Sequence, residues 1–342
     1  MNNLTECALL IDSIQLVIQP YVNSIVQWDN GTVDGWRQQD PKNILWIFLP
    51  VIIVFAAPVL LPIFVYGETI FLHMFEFWNK KKLPKIERDH HTSSFFDEAR
   101  MKIAGFLDGV ACFWNGYEVK GLEHLPDEGP ALLISYHGTS PLELWYFMCR
   151  GMLAKRRLIH CVGDQFCFKM PGWGKACKVL GITPGTIEDC VSTLRDGKIL
   201  IIAPGGVKEA LFADETYQMM WENRCGYAKV IKETSVPVIP MFTENCREIF
   251  RTPKIGQGLF RMLYEKTRWP LCPLYGGFPV KLVTHLGEPM NFSETASPEE
   301  IKQSVEVEVE KLIKQNQVLP GSILRGISQR FTSGRACKDE KK

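Results

Sequence analysis

Ala131-Leu132-Leu133-Ile134-Ser135-Tyr136-His137-Gly138-Thr139-Ser140-Pro141-Leu142-Glu143 is the stretch on which the fold turns. Ala131 to Tyr136 is an apolar run of strand length, as expected for a strand buried on both faces. A helix follows from Pro141 to Arg150, with proline at its first position and Ser140 as the capping residue. A buried strand passing straight into a helix is the opening of an α/β layer.

The same alternation repeats downstream. Ile159–Val162 reads as a short strand, Gly174–Leu180 as helical, and Ile187 begins a helix that ends at Gly197. Lys198–Ala203 is a second β-rich run leading into Pro204-Gly205-Gly206. Tyr227–Thr234 reads as helix, Val236–Phe242 and Val280–Leu286 as further buried strands, with Pro237 and Pro240 as edge or bulge devices. Ser297-Pro298-Glu299-Glu300 is a capping box for a helix to about Gln315. The expected fold is α/β, a mixed, mostly parallel sheet flanked by helices. In such sheets working residues collect beyond the carboxyl ends of strands, where His137 and Pro204-Gly205-Gly206 fall.

Upstream the chain changes character. Ile44 to Tyr66 carries no charge and no polar side chain except the tyrosine hydroxyl. At 1.5 Å per residue it is long enough for a hydrocarbon core of about 30 Å. Pro50, Pro58 and Pro62 interrupt it, and a second apolar patch runs from Ile70 to Trp78. Two geometries are open, one kinked span or a re-entrant hairpin returning through the aromatic patch. Lys80, Lys81, Lys82 and Lys85 come next and place the downstream chain in the cytosol. A single span puts Asn30-Gly31-Thr32 in the lumen as a glycosylation acceptor; a hairpin does not. From Phe95 to Trp114 apolar residues recur at three and four, an amphipathic helix facing either the core or a membrane interface. The expected division is an N-terminal segment (1–43), a membrane anchor (44–78), a basic linker with the amphipathic helix (79–118), a catalytic domain (119–318) and a tail (319–342).

Composition removes other classes. The chain has 342 residues, 46% of them hydrophobic, and a formal charge of +1, so it supports a sizeable core and lacks the basic excess of a nucleic-acid binder. Eleven scattered cysteines form no C-x-x-C pair, as expected for free thiols, and no His/Cys spacing fits a metal site.

His137 at a strand end, with Glu143 in the first turn of the next helix, pairs an imidazole with a carboxylate that fixes its tautomer, an arrangement suited to deprotonating a hydroxyl. Taken with His137-Gly-Thr-Ser-Pro-Leu-Glu143, three further blocks follow in order: Phe168-Lys-Met-Pro-Gly-Trp-Gly174, Ala203-Pro-Gly-Gly-Val-Lys-Glu-Ala-Leu211 and Val236-Pro-Val-Ile-Pro-Met-Phe242. Together they resemble the four blocks of the glycerolipid acyltransferase superfamily. With Phe212-Ala-Asp-Glu-Thr-Tyr217 and Leu274-Tyr-Gly-Gly-Phe-Pro-Val280, the resemblance is to the transmembrane protein 68 branch, whose members are similar to diacylglycerol acyltransferases.

The resemblance implies a membrane-anchored acyltransferase-like fold on the endoplasmic reticulum, its catalytic domain facing the cytosol, needing no cofactor. His137 carries over as base. Glu143 carries over as its partner with a departure, because the family places an aspartate where Leu142 stands; Asp164 is an outside candidate. Phe168, Lys169, Pro171, Gly174, Pro204, Gly205, Gly206, Lys208 and Glu209 carry over as substrate-binding positions. Gly205 and Gly206 are candidates to offer backbone N–H groups to an oxyanion. Lys169 and the basic run Lys155-Arg156-Arg157 are candidates for coenzyme A phosphates. Phosphate-handling relatives carry Phe-Pro-Glu-Gly-Thr-Arg in the third block and an arginine after the second; here Pro204-Gly-Gly-Val-Lys208 and Gly181-Ile-Thr-Pro-Gly185 stand there. Lysine does not replace arginine at a bidentate phosphate site. The expected partners are therefore membrane lipids, an acyl-CoA or phospholipid donor, and a neutral glyceride acceptor, diacylglycerol or monoacylglycerol. The alternatives are a lysophospholipid or glycerol-phosphate acyltransferase, and a catalytically silent lipid-binding protein.

Overall fold

The computed structural model describes residues 62–79 and 94–332, apart from 64, 223 and 294. Seven strands make one sheet: β1 (Glu118–Lys120), β2 (Ala131–Ser135), β3 (Ile159–Gly163), β4 (Ile182–Pro184), β5 (Ile199–Ile202), β6 (Val238–Glu244) and, numbered after a small hairpin, β9 (Val283–Leu286). Their order is β1-β9-β6-β2-β5-β3-β4, and only the β6–β9 pair is antiparallel. Five strands therefore point one way, and β9 and β1 point back. The hairpin is β7 (Phe250–Arg251) against β8 (Tyr275–Gly276).

Helices cover both faces, which is why the central strands carry no polar alternation. On one face α6 (Ile187–Arg195), α8 (Gly226–Thr234) and α10 (Pro298–Asn316) enclose a core that includes Leu132, Ile134 and Tyr136 from β2 and its continuation. On the other face α1 (65–79), α2 (Asp97–Asn115), α3 (Leu142–Lys155) and α5 (Trp173–Val179) share a second cluster built on Leu72, Phe75, Ala99, Ile103 and Met152. Short α4 (Gln165–Lys169) and α7 (Gly206–Phe212) stand on the loops after β3 and β5. The capping box at Ser297 forms, with its hydroxyl accepting from Glu300 N–H and the Glu300 carboxylate accepting from Ser297 N–H.

Several boundaries differ from the sequence reading. Ser140 does not cap α3; Pro141 takes that position, and the helix runs on to Lys155. Pro240 lies within β6, but its carbonyl accepts from Gly287 N–H, on the side where the β9 ladder has ended, so the missing proline N–H removes no ladder bond. The chain also adds α9 (Gln257–Thr267) between β7 and β8, and α11 (Ile323–Thr332) in the stretch 319–342 expected to be a tail. α11 is tied back: Gly326 O accepts from Lys281 N–H and Arg330 donates to Phe113 O.

Most of the 44–66 apolar run and the lysine cluster lie outside the described residues. Among the described residues no helix is long and apolar enough to cross a membrane. The patch expected to return through a bilayer is α1, and it packs Val65, Leu72 and Phe75 inward while Ile70, Met74, Phe77 and Trp78 are exposed. Nine cysteines among the described residues are free thiols.

Candidate active site

His137 stands two residues beyond β2, and the carboxyl ends of β3, β4, β5 and β6 supply the segments around it. Its Nδ1 lies 2.7 Å from Gly138 O. A carbonyl only accepts, so Nδ1 carries the proton and the neutral ring keeps its Nε2 lone pair. Burial pushes the imidazole down to about 4; the Gly138 carbonyl opposes this and the Arg247 charge adds to it. The ring is thus neutral and oriented without a direct carboxylate bond.

Glu143 Oε1 is 3.9 Å from His137 Nδ1, too long for a hydrogen bond. It accepts instead from Gly138 N–H at 2.8 Å, the same residue whose carbonyl holds the ring. Glu143 therefore acts on His137 through the Gly138 main chain. A side chain at Gly138 would come within 2.9 Å of both Glu143 Oε1 and Cys246 O. Burial raises the Glu143 carboxyl to about 8, against the Gly138 N–H bond and Arg247 that favour its charge.

Behind His137 lies a second buried carboxyl. Glu209 on α7 accepts from His137 N–H through Oε2 and from Met220 N–H through Oε1, both at 2.9 Å. Its own carboxyl is raised by burial to about 7, opposed by those two bonds and by Arg247. Gly205 is required here, because a Cβ on it would sit 2.3 Å from the Glu209 carboxyl carbon. Gly206 N–H, a candidate oxyanion donor, is donated to Ala203 O at 3.0 Å.

Two cavities meet at His137. One, of about 340 Å³, is apolar, with Trp145, Phe166, Met170, Trp173 and Leu274 in its wall and Val65 and Tyr66 of α1 at one side. The hydroxyls of Thr139 and Ser140 belong to that wall and are buried without a partner among the described residues. The other, of about 560 Å³, is polar and carries Lys169, Arg224 and Arg268 with Asp164, Tyr264 and Trp269.

The expected binding positions divide accordingly. Lys169 and Gly206 line the polar cavity, and Pro204 O accepts from Arg224. Phe168, Pro171 and Gly174 line neither; Met170 and Trp173 from that block face the apolar cavity instead. Lys208 lines neither and is paired with Glu222. Asp164 caps α4, accepting from Phe166 N–H, and lines both cavities. Lys155 is paired with Asp127, and Arg157 donates to Pro126 O, Gly129 O and Gly197 O; neither lines a cavity at His137.

Residues 116–244 match the protein-family profile described as Acyltransferase. A Bos taurus protein named "DGAT1/2-independent enzyme synthesizing storage lipids" is 42% identical over 288 residues, covering 84% of each chain. The Mus musculus protein of that name is 40% identical over 335 residues, covering 97% of this chain and 98% of its own. The chain belongs to the acyltransferase family. A solved structure of the Thermotoga maritima 1-acyl-sn-glycerophosphate (LPA) acyltransferase, PlsC, is similar with a TM-score of 0.47 and 14% identity, covering 74% of this chain and 97% of that one.

Three arginines of this acyltransferase's site, Arg224, Arg247 and Arg268, escaped sequence reading. Arg247, just beyond β6, is buried and donates to Tyr136 Oη, His137 O, Glu209 O, Ala210 O and Ala213 O. It joins the histidine segment to the carboxyl end of α7, where carbonyls carry partial negative charge. The available signal was a lone arginine in Asn245-Cys246-Arg247-Glu248-Ile249-Phe250, directly after a buried strand. Arg224 was likewise missed, because it is an exposed side chain on an irregular loop.

Proposed function

We propose that this acyltransferase moves a fatty acyl group onto the hydroxyl of a neutral glyceride, diacylglycerol or monoacylglycerol, with His137 as general base. The observation that carries the reading is the meeting of an apolar and a cationic cavity at His137. The apolar cavity takes acyl chain, and Lys169, Arg224 and Arg268 take the phosphates of an acyl-CoA donor. Nε2 removes the glyceride hydroxyl proton as its oxygen attacks the thioester carbonyl. The C–S bond then breaks, and the departing thiolate takes the proton from the imidazolium. Thr139 and Ser140 hydroxyls donate to the substrate oxygens from the cavity wall.

A neutral acceptor is supported by Lys208, which is neutralised by Glu222 and lines neither cavity. The names of the bovine and mouse relatives, enzymes synthesizing storage lipids, agree with it. The three cations favour a second reading, a lysophospholipid or glycerol-phosphate acceptor. The apolar run at 44–66 and the lysines at 80–85 support attachment to the endoplasmic reticulum with this domain in the cytosol. Glycosidase-sensitive mass at Asn30 indicates a single span, and its absence the hairpin.

The test uses purified full-length chain with dioleoylglycerol and oleoyl-CoA. Triacylglycerol formation is expected, and His137→Ala lowers it by roughly 10²–10⁴, the usual worth of a positioned base. Unchanged turnover in His137→Ala overturns the mechanism. Clear preference for a phosphorylated acceptor in a side-by-side assay selects the second reading, and no turnover with any acceptor leaves a lipid-binding protein.

A further inference from the structure

The segment 254–271 lies between β7 and β8, and the proposed chemistry uses only its Arg268. Its helix, α9, packs on α7 through Phe260 and Tyr264, with the Tyr264 and Phe212 rings 5.9 Å apart. The other side is bare: Leu259 is 55% exposed and Met262 44%, with Lys266 on the same stripe at i, i+3 and i+7. Before the helix Ile255 is 91% exposed, and after it Leu271 is 53% exposed. Apolar residues on both faces of a short surface helix mean that one face lacks its cover.

Two features say what covers it. Around these residues the segment carries Lys254, Arg261 and Lys266 at the surface, Lys254 beside Glu215 and Arg261 beside Glu265 in exposed pairs, while Arg268 lines the polar cavity. Excess basic charge beside an apolar stripe, with only weak exposed pairs to hold it, fits a surface that is apolar inside and anionic at its edge, as an anionic bilayer is. The chain then runs on from Leu271 to Cys272 and Leu274, in the wall of the apolar cavity beside His137, which Val65 and Tyr66 line from α1. The bare stripe is therefore continuous in the chain with a wall suited to acyl chains.

We propose that residues 254–271 are a second membrane-contact element, which seats the mouth of the apolar cavity on the surface of an anionic bilayer. Leu259 and Met262 enter the interface, Lys254, Arg261 and Lys266 meet phosphate headgroups, and lipid passes into the cavity along 270–274 without crossing water. This surface is separate from the apolar run at 44–66. It rests on the acyltransferase reading and deepens it by saying where the acceptor comes from.

The test compares full-length wild type with Ile255→Glu/Leu259→Glu/Met262→Glu, reconstituted in phosphatidylcholine vesicles with or without phosphatidylserine. None of the three side chains lines either cavity at His137. Expected is a loss of about tenfold or more in transfer to dioleoylglycerol in the bilayer, with transfer to a water-soluble dibutyrin acceptor unchanged. Phosphatidylserine should stimulate wild type, and Lys266→Glu should reduce that stimulation. Amide exchange across 255–271 should be slowed by anionic vesicles in wild type only. Equal bilayer activity of wild type and triple variant, or no vesicle protection, overturns the proposal. A wild-type dimer split by the substitutions overturns it in favour of a second copy as the cover. If wild type acylates neither acceptor, the acyltransferase reading falls while the exchange measurement still tests the membrane surface.

Discussion

His137 was legible because its chemistry and its position at a strand end coincide, but what holds it was not. A glutamate six residues on suggests a direct imidazole–carboxylate bond, whereas the fold interposes Gly138, whose N–H meets Glu143 and whose carbonyl meets the ring. Because burial raises Glu143 to about 8, its neutral form dominates near neutrality, and glutamine copies that form's shape. Glu143→Gln is therefore expected to keep activity within about tenfold of wild type, while Glu143→Ala orphans a buried N–H worth about 1–3 kcal/mol and should lose roughly 10–100-fold. Steady-state rates for the two variants check this, and equal losses would mean that the charge itself is needed. The depressed imidazole gives a pH test. With His137 held down to about 4, the base is already unprotonated at pH 6, so kcat/KM should stay level to about pH 5 and fall only below it. An acid limb at the ordinary 6.5 in the wild-type profile contradicts this. Arg247 is a positioning residue for the same ring. A lysine cannot span its five acceptors, so Arg247→Lys should leave at least one carbonyl unpartnered, at a cost of about 1–3 kcal/mol each, and lower kcat more than it raises KM. A wild-type kcat in a variant with a lowered melting temperature would confine Arg247 to stability.

Elements with strong periodicity or strong punctuation were readable: β2, β5 and β6 as apolar runs, α10 from its capping box, and the turn at Pro204-Gly205-Gly206. The strands β1, β4, β7 and β8 were not, since two or three residues are too few for an alternation to show. The helices α9 and α11 were hidden for another reason. Glycines at 256, 258 and 326 and apolar residues scattered round each helix obscure a 3.6-residue period. In α7 a short element does more than its length suggests, because Glu209 reaches behind His137 only if nothing projects from Gly205. Gly205→Ala should force that carboxyl aside, release His137 N–H and cost activity by tenfold or more. A crystal structure or an activity assay of the variant showing an undisturbed site removes this role. Ser297→Ala tests the capping box, with an expected loss of about 1 kcal/mol and no effect on turnover.

At the scale of the whole molecule, buried carboxyls and imidazoles titrate in opposed directions as the chain folds. Glu143 and Glu209 have folded-state values raised to about 8 and about 7, so folding favours their protonated forms. Their contribution is fully present below the unfolded value near 4.5 and is lost as pH rises toward those folded values. His137 and His160 are both lowered to about 4, by burial first, so folding favours their neutral forms. That contribution is present above 6.5 and lost as pH falls toward 4. The two slopes oppose one another, so these four groups together contribute most between about pH 5 and 6.5. Melting temperature against pH in full-length protein checks this. Glu143→Gln supplies the discriminating case, because removing that carboxyl should flatten the decline between about pH 6.5 and 8 and leave the side below pH 4.5 unchanged. A decline as steep as in wild type would place its origin outside the His137 site, and an optimum above pH 7 would contradict the raised carboxyls altogether.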